Sequence, residues 1–109
     1  MHPFDVLADP VRRRALELMS QREQASGEIV KVVEAEFGLS QSAVSQHLRV
    51  LRDSGFASVR KDGAKRCYSI NPSGFEDVEA WLNQLRLYWG ARLEALATEV
   101  ERGNRQRGK

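Results

Sequence analysis

The sequence predicts a mostly α-helical domain with one small β-hairpin, and three observations carry that prediction. Apolar residues recur at helical spacing through most of the chain, as in Val44, Leu48 and Leu51 at i, i+4 and i+7. The period changes only between residues 56 and 70, where two short runs rich in β-formers flank Asp62-Gly63-Ala64. Gly38-Leu39-Ser40 separates two helical patterns by a very short turn, the spacing of a helix-turn-helix. Together these describe a winged helix-turn-helix with a long C-terminal helix suited to dimerisation.

A chain of 109 residues has the size of one domain. No apolar run nears the ~20 residues of a membrane span, and no secretory segment follows Met1, so a cytoplasmic location is expected. The single cysteine, Cys67, rules out an internal disulfide or a thiolate-rich metal site within one chain. Net charge is only +2, but it is unevenly placed. Residues 1–39 sum to −2, 40–70 to +4, 71–102 to −3 and 103–109 to +3. A basic patch in a nearly neutral chain is the footprint of a phosphate-binding surface.

In chain order, residues 3–8 suggest a short helix with Phe4, Leu7 and Ala8 on one side. Asp9 then caps a second helix whose first position is Pro10, where a missing N–H costs nothing. Val11, Ala15, Leu18 and Met19 give it a buried stripe to about Gln21. Arg12, Arg13 and Arg14 point in three directions and read as solvated or stem-packed, with phosphate contact the lesser alternative. Residues 20–27 read as a polar connector. A helix follows over about 27–36, with Ile29, Val32, Val33 and Phe37 expected in the core.

The next helix organises the rest. Ser40 is a good N-cap and Gly55 a good C-terminal stop. Opposite its apolar stripe lie Gln41, Ser42, Ser45, Gln46 and Arg49, short polar groups able to meet base edges and phosphates. The hairpin after it carries Arg60, Lys61, Lys65 and Arg66 and reads as a basic wing. Asn71-Pro72 closes the hairpin, and Ser73 with Glu76 forms an apparent capping box. From there one helix runs to about Arg102, roughly 40 Å at 1.5 Å per residue. Phe75, Val78, Trp81, Leu82, Leu85, Tyr88, Trp89, Leu93, Leu96 and Val100 give it an apolar stripe that a domain this small cannot cover, so a second subunit is expected. Residues 103–109, without an apolar side chain, are expected to be a disordered basic tail, leaving 1–102 as the domain.

With these elements in place the chain resembles the ArsR/SmtB family of bacterial winged-helix repressors. The matching residues are Phe4-Asp-Val-Leu-Ala-Asp-Pro-Val-Arg-Arg-Arg-Ala-Leu-Glu-Leu-Met19, Leu39-Ser-Gln-Ser-Ala-Val-Ser-Gln-His-Leu-Arg-Val-Leu-Arg-Asp-Ser-Gly-Phe56 and Lys61-Asp-Gly-Ala-Lys-Arg-Cys-Tyr-Ser-Ile-Asn-Pro72. The resemblance implies a homodimer that binds an inverted-repeat operator on double-stranded DNA and represses transcription, often of its own operon. Two departures stand out. The helix at 27–37 is about one turn longer than is usual in the family. The family's metal ligands are also missing, since neither 27–37 nor 73–102 holds Cys or His, so metal sensing is not carried over.

The expected DNA-contacting set is therefore Gln41, Ser42, Ser45, Gln46, His47 and Arg49 from the helix and Lys61, Lys65 and Arg66 from the wing. His47 suits a phosphate contact or a structural hydrogen bond better than a metal. The expected dimer interface is Phe4, Leu7, Trp81, Leu85, Tyr88, Trp89, Leu93 and Leu96. Trp81, Tyr88 and Trp89 could instead line a pocket for a small-molecule inducer, but interface core is preferred. Cys67 reads as a buried small hydrophobe, because a thiol switch would need a partner cysteine. No cofactor and no metal are implied. Catalysis is excluded by the lack of any Ser/His/Asp or Cys/His set and of a phosphate-cradling Gly loop. Two alternatives stand beside this reading. A MarR-like ligand-responsive repressor should have longer helical arms at both ends, and the basic wing argues against a winged-helix protein-interaction module without DNA binding.

Overall fold

The computed structural model describes residues 1–107, and the side chains of all of these except 91, 93, 102 and 104–107. Residues 1–77 pack as one unit and the chain from Val78 onward as a second, each described by itself.

The first unit begins with α1 (Pro3–Ala8) and α2 (Pro10–Gln21). Asp9 caps α2 through its side chain, bonding the N–H groups of Val11 and Arg12 with Pro10 at the first position, as predicted. The region expected to be a polar connector contains a strand. Gln24–Ala25 (β1) pairs antiparallel with the later hairpin, Gln24 opposite Tyr68 and Ala25 opposite Cys67. Gln24 is buried, and its amide donates to the carbonyl of Leu18 at 2.5 Å, which lets a polar side chain sit inside.

Helix α3 (Ser26–Phe37) buries Ile29, Val30 and Val33. Phe37, expected inside, is 39% exposed, while Val32 only packs partly against the core. Gly38 takes φ 66°, the left-handed turn that redirects the chain into α4 (Gln41–Asp53). Val44, Leu48 and Leu51 of α4 are buried, as their spacing predicted. Ser40 accepts the N–H of Ala43. At the far end the N–H of Phe56 bonds the carbonyl of Leu51 and that of Gly55 (φ 81°) bonds Arg52, the two bonds of a Schellman stop.

The hairpin is β2 (Ala57–Asp62) and β3 (Lys65–Ile70), in a three-stranded sheet of order β1-β3-β2. Asp62 belongs to the strand, opposite Lys65. The loop is thus only Gly63-Ala64, with glycine (φ 61°) at the first loop position, where a type II′ turn wants it. Cys67 is buried and free on β3, in the role expected of it.

The capping box predicted at Ser73 and Glu76 does not form. A 3-10 turn, Pro72–Phe75, precedes α5 (Glu76–Arg107), and Asn71 is its cap, accepting both the N–H and the hydroxyl of Ser73. The turn seats Phe75 edge-on to the fully buried Phe56, ring centroids 4.7 Å apart. Gly74 explains why the turn can sit there. A Cβ at Gly74 would lie 2.5 Å from the carbonyl oxygen of Gly55 and 2.7 Å from the Phe56 nitrogen. The helix α5 continues through Arg107, so 103–107 are helical where a disordered tail was expected; the rest of that tail lies outside the described residues.

Within the second unit α5 exposes several large apolar side chains, among them Tyr88 at 62% and Leu96 at 56%. The Arg92 guanidinium lies over the rings of Tyr88 and Trp89. Among the described residues, no helix is long and apolar enough to cross a membrane.

Two outcomes follow for stability. Gly74→Ala should lower the urea midpoint, losing about 1–3 kcal/mol to backbone overpacking. The Arg14 fork on Glu36 (2.8 and 3.0 Å) holds that carboxyl below the usual carboxylate range, an effect offset in part by its desolvation. Its contribution is complete above the unfolded value of about 4.3 and disappears as pH falls through the lower folded value. Urea titrations should therefore show a shallower acid-side loss of stability below about pH 4 in Glu36→Gln than in the parent.

Candidate nucleic-acid interface

The site starts from how α4 is held. Arg12 and Arg13, side by side on α2, close the end of α1. The last four carbonyls of any helix lack intrahelical partners. In α1 those are Asp5, Val6, Leu7 and Ala8, and all four accept from these two arginines. Arg12 donates to Val6 at 2.8 Å and Asp5 at 2.9 Å, and Arg13 to Leu7 at 2.7 Å and Ala8 at 3.1 Å. Arg14 pairs with Glu36. The triplet is thus partly solvated, as its reading allowed, but each guanidinium already has protein partners.

Arg12 also reaches α4. Its remaining nitrogen lies 3.4 Å from Nδ1 of His47, and Asp9 approaches both Arg12 (3.9 Å) and His47 (4.0 Å). His47 is half-buried, and its approach to Arg12 matches the structural hydrogen bond that was one of its two expected roles, the other being a phosphate contact. Of the remaining helix residues, Gln41, Ser42, Gln46 and Arg49 are exposed on one side of α4. Ser45 is half-buried and lines a cleft of about 200 Å³ with Ser26, Leu48, Arg49, Arg52, Arg66 and Tyr68. This cleft brings Arg49 of the helix and Arg66 of the wing to one place.

The basic residues divide into two sets. Arg52 pairs with Asp53, and Arg60 with Glu23 at 2.6 Å. The Arg60 bond lowers the Glu23 carboxyl below its usual range, and Arg60 rises in turn. By contrast Arg49, Lys61, Lys65 and Arg66 are exposed and make no ion pair among the described residues. The hairpin cation absent from the expected contact set, Arg60, is the one that is neutralised. Sequence reasoning could not find its partner, because Glu23 sits beside the strand that was read as a polar connector.

Among the described residues no three of His, Cys, Asp or Glu gather as a metal-ligand set. Of the expected interface residues, Phe4 is 39% exposed and stacks on His2, Leu7 packs partly against the core, and Leu85 is half-buried. Trp81 and Trp89 are exposed, like Tyr88 and Leu96, whereas the side chain of Leu93 lies outside the described ones.

Comparison with known proteins meets this geometry. Residues 9–59, from the cap of α2 into the wing, match the model of the family described as "Bacterial regulatory protein, arsR family". A crystal structure titled as an ArsR family transcriptional regulator is 30% identical, with a TM-score of 0.67 over 82% of this chain and 88% of that one. The chain belongs to the ArsR family. A possible transcriptional regulator for arsenical resistance, also of known structure, is 35% identical with a TM-score of 0.64, covering 91% of this chain and 96% of that one. The uncharacterized HTH-type transcriptional regulator Rv0081 of Mycobacterium tuberculosis is 42% identical over 67 residues, which are 62% of this chain and 56% of that protein. The chain thus spans little more than half the length of that curated relative. The chain carries the winged-helix fold of the regulators of known structure that it matches.

Replacing Arg12 by alanine should destabilise the regulator by about 2–4 kcal/mol, because two charge-assisted bonds go and two carbonyls lose their donor. Lysine should restore less than half of that loss, since an ammonium cannot span both carbonyls as the guanidinium fork does. Urea unfolding followed by far-ultraviolet circular dichroism measures both.

Proposed function

We propose that this regulator is a homodimeric, cytoplasmic repressor that binds an inverted-repeat operator, its own promoter included, through α4 and the wing. One observation carries the reading. The exposed polar face of α4 runs, across the cleft shared by Arg49 and Arg66, into wing cations that no acid among the described residues neutralises. Gln41 and Ser42 are suited to phosphates at the helix start, and Ser45, Gln46 and Arg49 to base edges or phosphates deeper in the major groove. Lys61, Lys65 and Arg66 supply phosphate contacts from the wing, and His47 contributes with its ring held by Arg12.

The exposed aromatic and aliphatic side chains of α5 support a second copy of the chain as the cover for that face. A two-fold dimer would set its recognition helices about 34 Å apart, on successive major grooves. For the signal, the donor chemistry supports something other than a metal: the chain has one cysteine and two histidines, and residues 27–37 have neither. A small-molecule inducer is compatible with this reading. The basic wing speaks against a protein-interaction module that has lost DNA binding.

Gel shifts with the DNA upstream of its own gene test the proposal. Retardation should favour one two-fold symmetric site and fall steeply with salt. Arg49→Ala should weaken binding about ten-fold or more at constant fold. Binding that ignores both sequence and salt would overturn the reading.

A further inference from the structure

A second groove adjoins the cleft between α4 and the wing. It measures about 520 Å³ and lies between the first turns of α3 and the hairpin loop, lined by Ser26, Glu28, Lys31, Lys65 and Arg66 among others. Ser26 and Arg66 are walls of both hollows, so the two are contiguous. The groove carries three cations, Lys31, Lys65 and Arg66, against the single carboxylate of Glu28. None of the three makes an ion pair among the described residues, whereas Arg12, Arg13, Arg14, Arg52 and Arg60 all have carbonyl or carboxylate partners. Of the acids around the groove, Glu23 is taken by Arg60. Glu34 stands one turn beyond Lys31 without an ion pair on it, and Asp62 stands opposite Lys65 in the hairpin register, also without closing one. Among the described residues Arg22 and Lys61 are also unpaired and lie outside both hollows, but four unneutralised cations line the two contiguous hollows. They form a track from Arg49 on the recognition helix, through Arg66, to Lys65 and Lys31.

We infer that this groove holds a backbone phosphate of the bound DNA, and that Lys31 of α3 is a DNA-contacting residue beyond the recognition helix and wing. The inference rests on the DNA-binding reading above and widens its footprint. The groove faces an anion with a net charge of about +2 from its own lining. Lys31 is exposed on α3, so its long stem can swing to a phosphate while the helix stays fixed. Glu28 is the opposing charge that trims the site, which gives the groove two substitutions of opposite sign.

The test uses the full chain and a random-sequence 30-base-pair duplex (about three helical turns), so it needs no operator. Binding is measured by fluorescence anisotropy across a salt series. Each phosphate that is no longer neutralised by a protein cation reduces the salt slope by about 0.9. Lys31→Gln should reduce the slope by about that amount, Lys31→Arg should restore it, and Glu28→Gln should tighten binding. Arg22→Gln removes the same charge from a position lining neither hollow and should leave the slope unchanged. A Lys31→Gln slope equal to the parent's overturns the inference, and so does an equal drop in Arg22→Gln, which would reflect net charge alone. Titration with inorganic phosphate, followed by amide shifts of 26–31, separates the other source. Saturable phosphate binding abolished by Lys31→Gln, with the DNA slope intact, would assign the groove to a free anion and overturn its assignment to DNA. A parent chain that binds no duplex at any salt fails the DNA-binding reading itself, a separate result.

Discussion

Phe56 fixes the recognition helix and the wing to each other. Its N–H closes the Schellman stop of α4 on Leu51, its carbonyl accepts the N–H of Asn71 where the hairpin returns, and its ring is fully buried edge-on to Phe75. One residue therefore closes the stop of the helix, immediately precedes the first wing strand and seats the turn that leads to α5. Burying a phenylalanine of this kind stabilises by roughly 1.5–3 kcal/mol, but its geometric effect is larger. If α4 could rotate about its end, Arg49 and Arg66 would no longer share a cleft, and a surface that reads DNA needs its parts held to a fraction of an ångström.

The same residue shows why much of the architecture was legible in the sequence. Ser40, Gly55 and the Val44-Leu48-Leu51 stripe are local signals, each fixed by backbone chemistry within a few residues, and they gave α4 its bounds and its faces. Asp9-Pro10 and the hairpin were legible for the same reason. What could not be read depends on partners far along the chain. The strand Gln24–Ala25 is too short to show a period and exists because β3 offers it an edge. Ser73 with Glu76 matched a capping pattern, yet Asn71 took the role, because the chain leaving β3 tightens into a 3-10 turn against Phe56. Gly74 looked like part of that pattern and is instead the point where two backbone segments touch.

Arg12, Arg13 and Arg14 teach the same lesson at the site. Three adjacent arginines before a DNA-binding motif invite a phosphate reading, but α1 is only six residues long and cannot satisfy its own ends. Two arginines serve as its C-terminal cap and one of them reaches His47, so α1, α2 and the recognition helix meet at a single guanidinium. The identity of the polar face on α4 was readable from the sequence. Which cations were still available to DNA was not, because that depends on where acids fall in space.

The Glu23–Arg60 pair shows what that dependence means. An acid at the edge of β1 acts as a resident counter-ion for the wing, so the charge the hairpin presents is smaller than the charge it contains. Affinity for a polyanion is then tunable from the acidic side of the balance. A change at Glu23, which has no place in the proposed DNA-contacting set, would release a wing cation as surely as adding a new lysine. Surfaces of this kind can drift in strength through residues that lie outside the interface altogether.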